Sequence, residues 1–276
     1  MISVIIPDYN AARTIEKCLE SIFAQTYLSA DKAGREFEVI VVDDGSTDGT
    51  LRKVLDFART IQKQYPSSGV QRNREAIQLV SQENRGAQAA RNRGWEECGM
   101  KHNAPPPPLN LRGGDQSVPP LRVRGGEEGL RGQYVLFCDA DIVLRKDCLE
   151  KMVRALEEHP EASYAYSSFK FGWKKFKLWP FDAARLRRMP YIHTTSLIRA
   201  EHFSATGWDE NVKRLQDWDL WLTMLEHGHT GVWIPAVLFT VVNTKGTMSQ
   251  WLPSFAYKVP KWLGIQTRAV ARYNEA

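Results

Sequence analysis

The chain has 276 residues, 43% hydrophobic and 25% charged, with a formal net charge of +5. It is long enough for one large domain with a substantial core, or one domain with additions, and its composition is that of an ordinary globular protein. The charge suits a phosphate-bearing substrate or an anionic membrane surface, is too small to demand nucleic acid, and comes with no nucleic-acid-binding signature.

The four cysteines, Cys18, Cys98, Cys138 and Cys148, lack metal-ligand spacing and read as free, buried thiols in a reducing compartment. The first residues carry no basic leader and enter an apolar strand at once. The run from Val232 to Val242 is too short to span a bilayer and contains Pro235. The expectation is a cytoplasmic chain that is able to sit at the inner face of a membrane.

Ile2–Ile6 is an apolar strand stopped by Pro7-Asp8-Tyr9-Asn10. A helix from about Thr14 follows, with Ile15, Leu19, Ile22 and Phe23 on one face. Phe37–Val42 is a second strand, ending in the polar loop Asp43–Gly49. The next helix carries Leu51, Val54, Leu55, Ala58 and Ile61. Ala76–Val80 is a weaker third strand ending near Glu83–Gly86, and it leads to a helix with Ala90, Arg91, Asn92 and Trp95. The fourth strand, Tyr134–Cys138, stops at Asp139-Ala140-Asp141. In extended geometry these two carboxylates point to one side, where hard oxygen ligands suit Mg²⁺ or Mn²⁺. The competing reading is a polar turn with one Asp capping the next helix. Asp147 and Glu150 have the spacing of a reciprocal capping box before Leu149, Met152, Val153 and Leu156.

This β-α alternation predicts a mainly parallel, Rossmann-like sheet with right-handed crossovers and helices on both faces. Ligands bind such sheets beyond the carboxyl ends of the strands, where each of these polar clusters falls. Neither G-x-G-x-x-G nor G-x-x-x-x-G-K-[ST] is present to cradle phosphates, so a carboxylate-held metal is the natural substitute.

Residues 102–133 interrupt the pattern. They are rich in Pro, Gly and Arg, and Pro107–Gly114 returns in near-copy as Pro119–Gly126. An insertion unable to bury a core, and dispensable for chemistry, is expected there. Ser163–Ser168 reads as a strand. Phe169–Phe181 mixes aromatics with lysines, either as a hairpin or loop with packed aromatics or as a contact surface for an acceptor or anionic lipid. Tyr191–Arg199 reads as a strand and Gly207–Glu210 as a turn. A helix starts at Gln216 and runs to about Gly228. There Asp217 is a cap or a general base, and Trp218 and Trp221 are core or a platform for an acceptor sugar. Residues 1–230 form the expected catalytic domain. Residues 231–276 form a C-terminal extension, whose Trp251–Tyr273 stretch is an interfacial or packing helix.

Assembled, these pieces resemble the family-2 glycosyltransferases of GT-A fold. The matching stretches are Val4–Asn10, Val41–Asp48, Asn84–Gly86 with Ala90–Gly94, Asp139–Asp141, Gly207–Glu210 and Gln216–Trp221, in the family's order. The resemblance implies a nucleotide-diphosphate-sugar donor, most often a UDP-sugar, a glycan or lipid-linked acceptor, and no nucleic acid beyond the donor nucleotide. Pro7, Tyr9 and Asp44 match positions around the base, and Asn10 and Asp43 lie in the same clusters. Arg91 matches a donor contact, Asp139 the ribose and metal side, Asp141 the Mn²⁺ or Mg²⁺ ligand and Asp217 the general base. Two residues depart from the pattern: Gln216 replaces one carboxylate of the usual acidic pair, and Thr223 stands where Arg or Lys is common. A catalytically silent nucleotide-sugar or glycan-binding protein, or a nucleotidyltransferase of related topology, is the alternative.

Overall fold

A computed structural model describes residues 1–28, 37–64, 77–98, 133–203 and 207–242. The Pro/Gly/Arg-rich insertion, apart from Gln133, and the Trp251–Tyr273 segment lie outside the described residues, as does Ala76. The strands are β1 (Ile2–Asp8), β2 (Phe37–Asp43), β3 (Gln78–Ser81), β4 (Tyr134–Phe137), β5 (Ile142–Leu144), β6 (Tyr164–Phe171), β7 (Lys174–Phe176), β8 (Leu197–Arg199) and β9 (Gly231–Val241). The helices are α1 (Ile15–Phe23), α2 (Thr50–Gln64), α3 (Ala87–Glu97), α4 (Cys148–Glu158), α5 (Ala183–Arg188) and α6 (Gln216–Glu226).

One sheet runs β3-β2-β1-β4-β8-β6-β9-β5, with β7 paired to β6. The first four strands are parallel, as the β-α alternation requires. The remainder is mixed: β8 is antiparallel to β4 and β6, β5 is antiparallel to β9, and β6 and β9 are parallel. The sheet is therefore mixed, with a parallel half that carries the polar strand ends.

Register explains which side chains face which helices. Ile2, Ile6 and Asp8 of β1 stand beside Phe37, Val41 and Asp43 of β2 on one face. That face packs on α1 and α2, where Phe23 meets Phe37 at 5.3 Å and Phe57 at 5.7 Å. Ile5 and Val42 point the other way, against α3. A Cβ on Gly94 would collide with the Ile5 side chain and approach that of Val42 to 3.2 Å. The helix bearing Arg91 thus lies as close to the sheet as backbone contact allows.

Several elements differ from expectation. The capping box does not form: Asp147 makes no side-chain cap bond and pairs with Lys151 at 2.7 Å, while Glu150 accepts from Thr26 Oγ1 at 2.7 Å. Only Leu197–Arg199 of the expected Tyr191–Arg199 strand joins the sheet. Upstream, Thr195 N donates to His193 Nδ1 and Ser196 Oγ to the His193 carbonyl, local bonds that compete with a ladder. The apolar run from Val232 is strand β9, so the sheet does not end at residue 230. Pro235 fits because the β6–β9 register slips between Ser167 and Ser168, leaving Pro235 and Ala236 out of the ladder. All four cysteines are free and buried.

Replacing Gly94 by Ala should overpack the α3–sheet contact at a cost of about 1–3 kcal/mol. A thermal melt should show the fall in Tm; an unchanged Tm would mean that α3 has room to shift.

Candidate functional site

Asp139, Ala140 and Asp141 lie on a tight turn between β4 and β5, closed by Ile142 N donating to the Asp139 carbonyl at 3.0 Å. They do not continue the strand, so strand alternation does not orient the two carboxylates. The turn does, and each still feels the other's charge. Burial, then the charge of Asp139, pushes Asp141 up to about 7.

Arg91 of α3 enters from beside this turn. It is buried, and its Nη2 donates to Asp139 Oδ1 at 2.6 Å, a charge-assisted pair. Its Nη1 donates to Gln216 Oε1 at 3.2 Å, and its guanidinium lies 4.6 Å from the Trp208 ring centroid. One cation therefore joins α3, the β4–β5 turn, the start of α6 and the Gly207–Glu210 turn. Gln216 keeps an acceptor for Arg91 without adding a second carboxylate. Asn92, the next residue, binds both Trp208 backbone groups, donating at 2.9 Å and accepting at 2.7 Å, and donates to Glu210 Oε1 at 3.0 Å. Gly207 has φ of 68° and no room for a Cβ beside Asn92.

Asp217 stands in the first turn of α6. Its Oδ1 accepts from Trp218 N at 3.0 Å. Burial pushes its carboxyl up to about 6, opposed by that bond and by Arg91. Trp218 and Trp221 are core residues and not an acceptor platform. They are 2% and 0% exposed, and their indole N–H groups donate to the Leu186 and Ile192 carbonyls at 2.6 and 3.0 Å. A cavity of about 420 Å³ opens between the Gly207–Glu210 turn and α6, lined in part by Asn92, Asp219 and Thr223. It touches none of Asp139, Asp141 or Asp217.

On the β1–β2 side, Tyr9 is 53% exposed, an open aromatic face. Asp44 is buried and accepts from Gln82 Nε2, Arg85 N and Gly86 N, each at 2.8 Å. Asn10 has φ of 51°, and its side-chain carbonyl accepts from Thr47 N at 2.8 Å while its own N–H donates to Ser46 Oγ at 2.9 Å. Asp43 accepts from Ser46 N at 3.2 Å. Asn10 and Asp43 thus hold the 46–48 loop in place, and Pro7 is buried at the end of β1.

Two residues of this region escaped the sequence reading. His193 accepts from Thr195 N at Nδ1 (3.0 Å), which leaves its proton on Nε2, and burial lowers it to about 4. Its ring lies 5.0 Å from both Phe169 and Phe239, and Asp139 and Arg91 both act on its charge. Asp8 is 3% exposed, and neither carboxyl oxygen has a partner. Burial, then the charges of Asp43 and Asp48, pushes it up to about 8. An apolar strand ending in Asp gives no sign of either property.

Among the described residues no group of three or more His, Cys, Asp or Glu side chains is placed to hold a metal. The protein offers two neighbouring carboxylates, one of them already bonded to Arg91. Asp141, whose carboxyl burial and Asp139 disfavour as an anion, fits a divalent cation that takes its remaining ligands from phosphate or water. No described helix is long and apolar enough to cross a membrane.

A mixed, helix-flanked sheet with an acid-rich site at its strand ends is the GT-A glycosyltransferase arrangement. The chain belongs to glycosyl transferase family 2, whose model matches residues 3–101 and 126–211. It is 25% identical over 253 residues to the amylovoran biosynthesis glycosyltransferase AmsE of Erwinia amylovora, covering 87% of this chain and 76% of AmsE. S. aureus TarS 1–349 in complex with UDP-GlcNAc matches with a TM-score of 0.61 and 18% identity, covering 91% of this chain. The Pyrobaculum calidifontis mannosyltransferase PcManGT in complex with GDP-Man and Mn²⁺ matches with a TM-score of 0.59 and 23% identity, covering 89% of this chain. At these identities the two structures show likeness of fold. This chain spans 61% of that TarS chain and 58% of the mannosyltransferase chain.

The raised Asp8 carboxyl has a consequence for stability. The folded chain holds that proton up to about pH 8, whereas an unfolded chain releases it near pH 4. Its contribution is whole below about pH 4 and is lost as pH rises through about 8. Asp8→Asn should therefore raise Tm more at pH 8.5 than at pH 5, by several degrees. Equal differences at the two pH values would remove Asp8 as the source.

Proposed function

We propose that the enzyme moves a sugar from a nucleotide-diphosphate sugar, a UDP-sugar, to a hydroxyl of a glycan or lipid-linked acceptor, by metal-assisted single displacement with inversion. The observation that carries this reading is Asp217. It is a carboxylate with one oxygen used within α6 and a pKa of about 6, and it feels the charges of both Arg91 and Asp139. A base of that strength is ionised at neutral pH and still able to take a proton.

In the proposed step the acceptor oxygen attacks the anomeric carbon and its proton passes to Asp217. The bond from that carbon to the diphosphate breaks on the opposite face, and the electron pair leaves with the nucleoside diphosphate. Asp141, with Asp139, would hold Mn²⁺ or Mg²⁺. When bound, that ion stabilises the negative charge growing on the departing diphosphate. Arg91 fixes Asp139 for the ribose. Tyr9 offers its face to the base, with Pro7 buried in β1 two residues before it. A carboxylate has about four acceptor positions, so Asp44, with three donors already bound, keeps room for one N–H of a uracil ring. The UDP-GlcNAc and the GDP-Man with Mn²⁺ in the structural relatives, and the name of AmsE, support a nucleotide-sugar donor, a divalent ion and a cell-envelope polysaccharide product.

A panel of nucleotide sugars with Mn²⁺ or Mg²⁺, scored by nucleotide diphosphate release with and without EDTA, tests the reading; no binding or turnover of any donor would end it. Because Asp217 must be ionised, kcat should rise with pH through about 6 and then level. Asp217→Asn should keep donor binding by calorimetry and lose transfer by ~10²–10⁴-fold; transfer equal to wild type would remove Asp217 as the base. Asp141→Ala should lose the metal-dependent part of donor affinity, so that EDTA no longer changes it.

A further inference from the structure

The β6–β7 hairpin presents a tryptophan that none of the described residues covers. Trp173 is 98% exposed at its tip, next to Gly172, whose φ of 56° makes the turn. A single exposed apolar side chain needs no special cause. The charges around this one do. Lys170 stands directly opposite Lys175 across the ladder, with Lys174 and Lys177 exposed beside them. Like charges directly opposite destabilise a strand pair. From Phe169 to Arg188 the sequence holds seven cations and one carboxylate, Asp182, and that carboxylate accepts from Arg185 N to cap α5. The same surface continues into Trp179, 41% exposed, with the Arg185 guanidinium 4.6 Å from its ring centroid.

The hairpin is firmly rooted. Phe169 stacks on Phe176 at 5.0 Å and on Phe239 at 5.3 Å, with interplanar angles of 9° and 1°. Gly172 N donates to the Val241 carbonyl at 2.9 Å, and Val241 pairs with Ile142, the residue after Asp141. The tip therefore stands two strands across from the acid-rich turn, on the same edge of the sheet.

We propose that this hairpin is a docking surface for an anionic lipid bilayer, with Trp173 entering the headgroup layer and Lys170, Lys174, Lys175 and Lys177 neutralising lipid phosphates. Uncompensated lysines opposite one another are stabilised by an external anionic surface, and tryptophan is the side chain that sits best at a membrane–water boundary. An indole standing free at a tip fits insertion into a layer better than stacking in a groove on a soluble anionic glycan. Docking here holds the Asp139–Asp141 edge near the bilayer, where a lipid-linked acceptor is presented; this last consequence rests on the proposed transfer reaction.

The test is co-sedimentation of the full chain with vesicles, and it needs no donor sugar. The chain should pellet with phosphatidylcholine vesicles containing roughly a third phosphatidylglycerol, stay in solution with phosphatidylcholine alone, and be released by high salt. The double variant Lys174→Gln with Lys175→Gln should bind on the order of 25-fold more weakly, about fivefold per charge. Trp173→Ser should lose about tenfold. Arg154→Gln, an exposed cation on α4, should bind within about twofold of wild type. Trp173 and the lysines are exposed, so circular dichroism should show each variant folded. Failure to bind the anionic vesicles, or equal losses in all three variants, would overturn the proposal. So would full vesicle affinity in Trp173→Ser together with displacement of the chain by dextran sulfate, which would mark a polyanion site instead.

Discussion

The structure of the site depends on one ion pair, the buried Arg91 with the half-buried Asp139. Four segments distant in sequence meet at that guanidinium: α3, the β4–β5 turn, the Gly207–Glu210 turn through Trp208, and the N-terminus of α6 through Gln216. Removing Asp139 would leave that buried cation without its counter-charge. The Arg91 guanidinium therefore links the β4–β5 turn and α6. Gly94 allows the geometry by letting α3 lie flat on Ile5 and Val42. The absence of one side chain in the helix brings a long one to the centre of the site.

Around Arg91 the field is strongly acidic, although the chain as a whole carries +5. Asp141 is pushed up to about 7 and Asp217 to about 6, in each case first by burial. Asp139 raises both and Arg91 lowers both. His193 adds no positive charge: its Nδ1 is taken by Thr195 N–H and its imidazole is neutral above about pH 4. Among the described residues a basic surface lies instead on the hairpin and α5, outside the site.

The parallel half of the fold was legible because each strand there is a short apolar run closed by a polar cluster and followed by a helix-period face. β5 and β9 were not. Three residues make β5, too few to show a period, and β9 carries a Pro that reads as a breaker until the bulge against Ser167–Ser168 is known. The Tyr191–Ser196 loop looked like a strand because its hydrogen bonds run from side chain to backbone, which residue type alone does not reveal. Trp218 and Trp221, at i and i+3, read from the sequence either as core or as a sugar platform. Their indole N–H groups are satisfied inside the protein, and burial decides the matter.

Motif membership and ligand contact are different properties, and free hydrogen-bonding capacity separates them. Asn10, Asp43 and Asn92 belong to the recognisable stretches, yet their polar atoms bind the 46–48 loop and the Gly207–Glu210 turn. They shape the site from behind. The Asp141 carboxylate and the second oxygen of Asp217 have no such engagement with another described residue, and the Tyr9 ring is open. Asp8 lies between the two classes: it is as buried as a structural residue and as unpartnered as a ligand-binding one. Its neighbours Asp43 and Asp48 supply only like charge, so the folded chain accommodates it by keeping its proton. The loops at the ends of β1 and β2 thus stand beside a neutral acid, whose ionisation at alkaline pH would add a third negative charge next to Asp43 and Asp48.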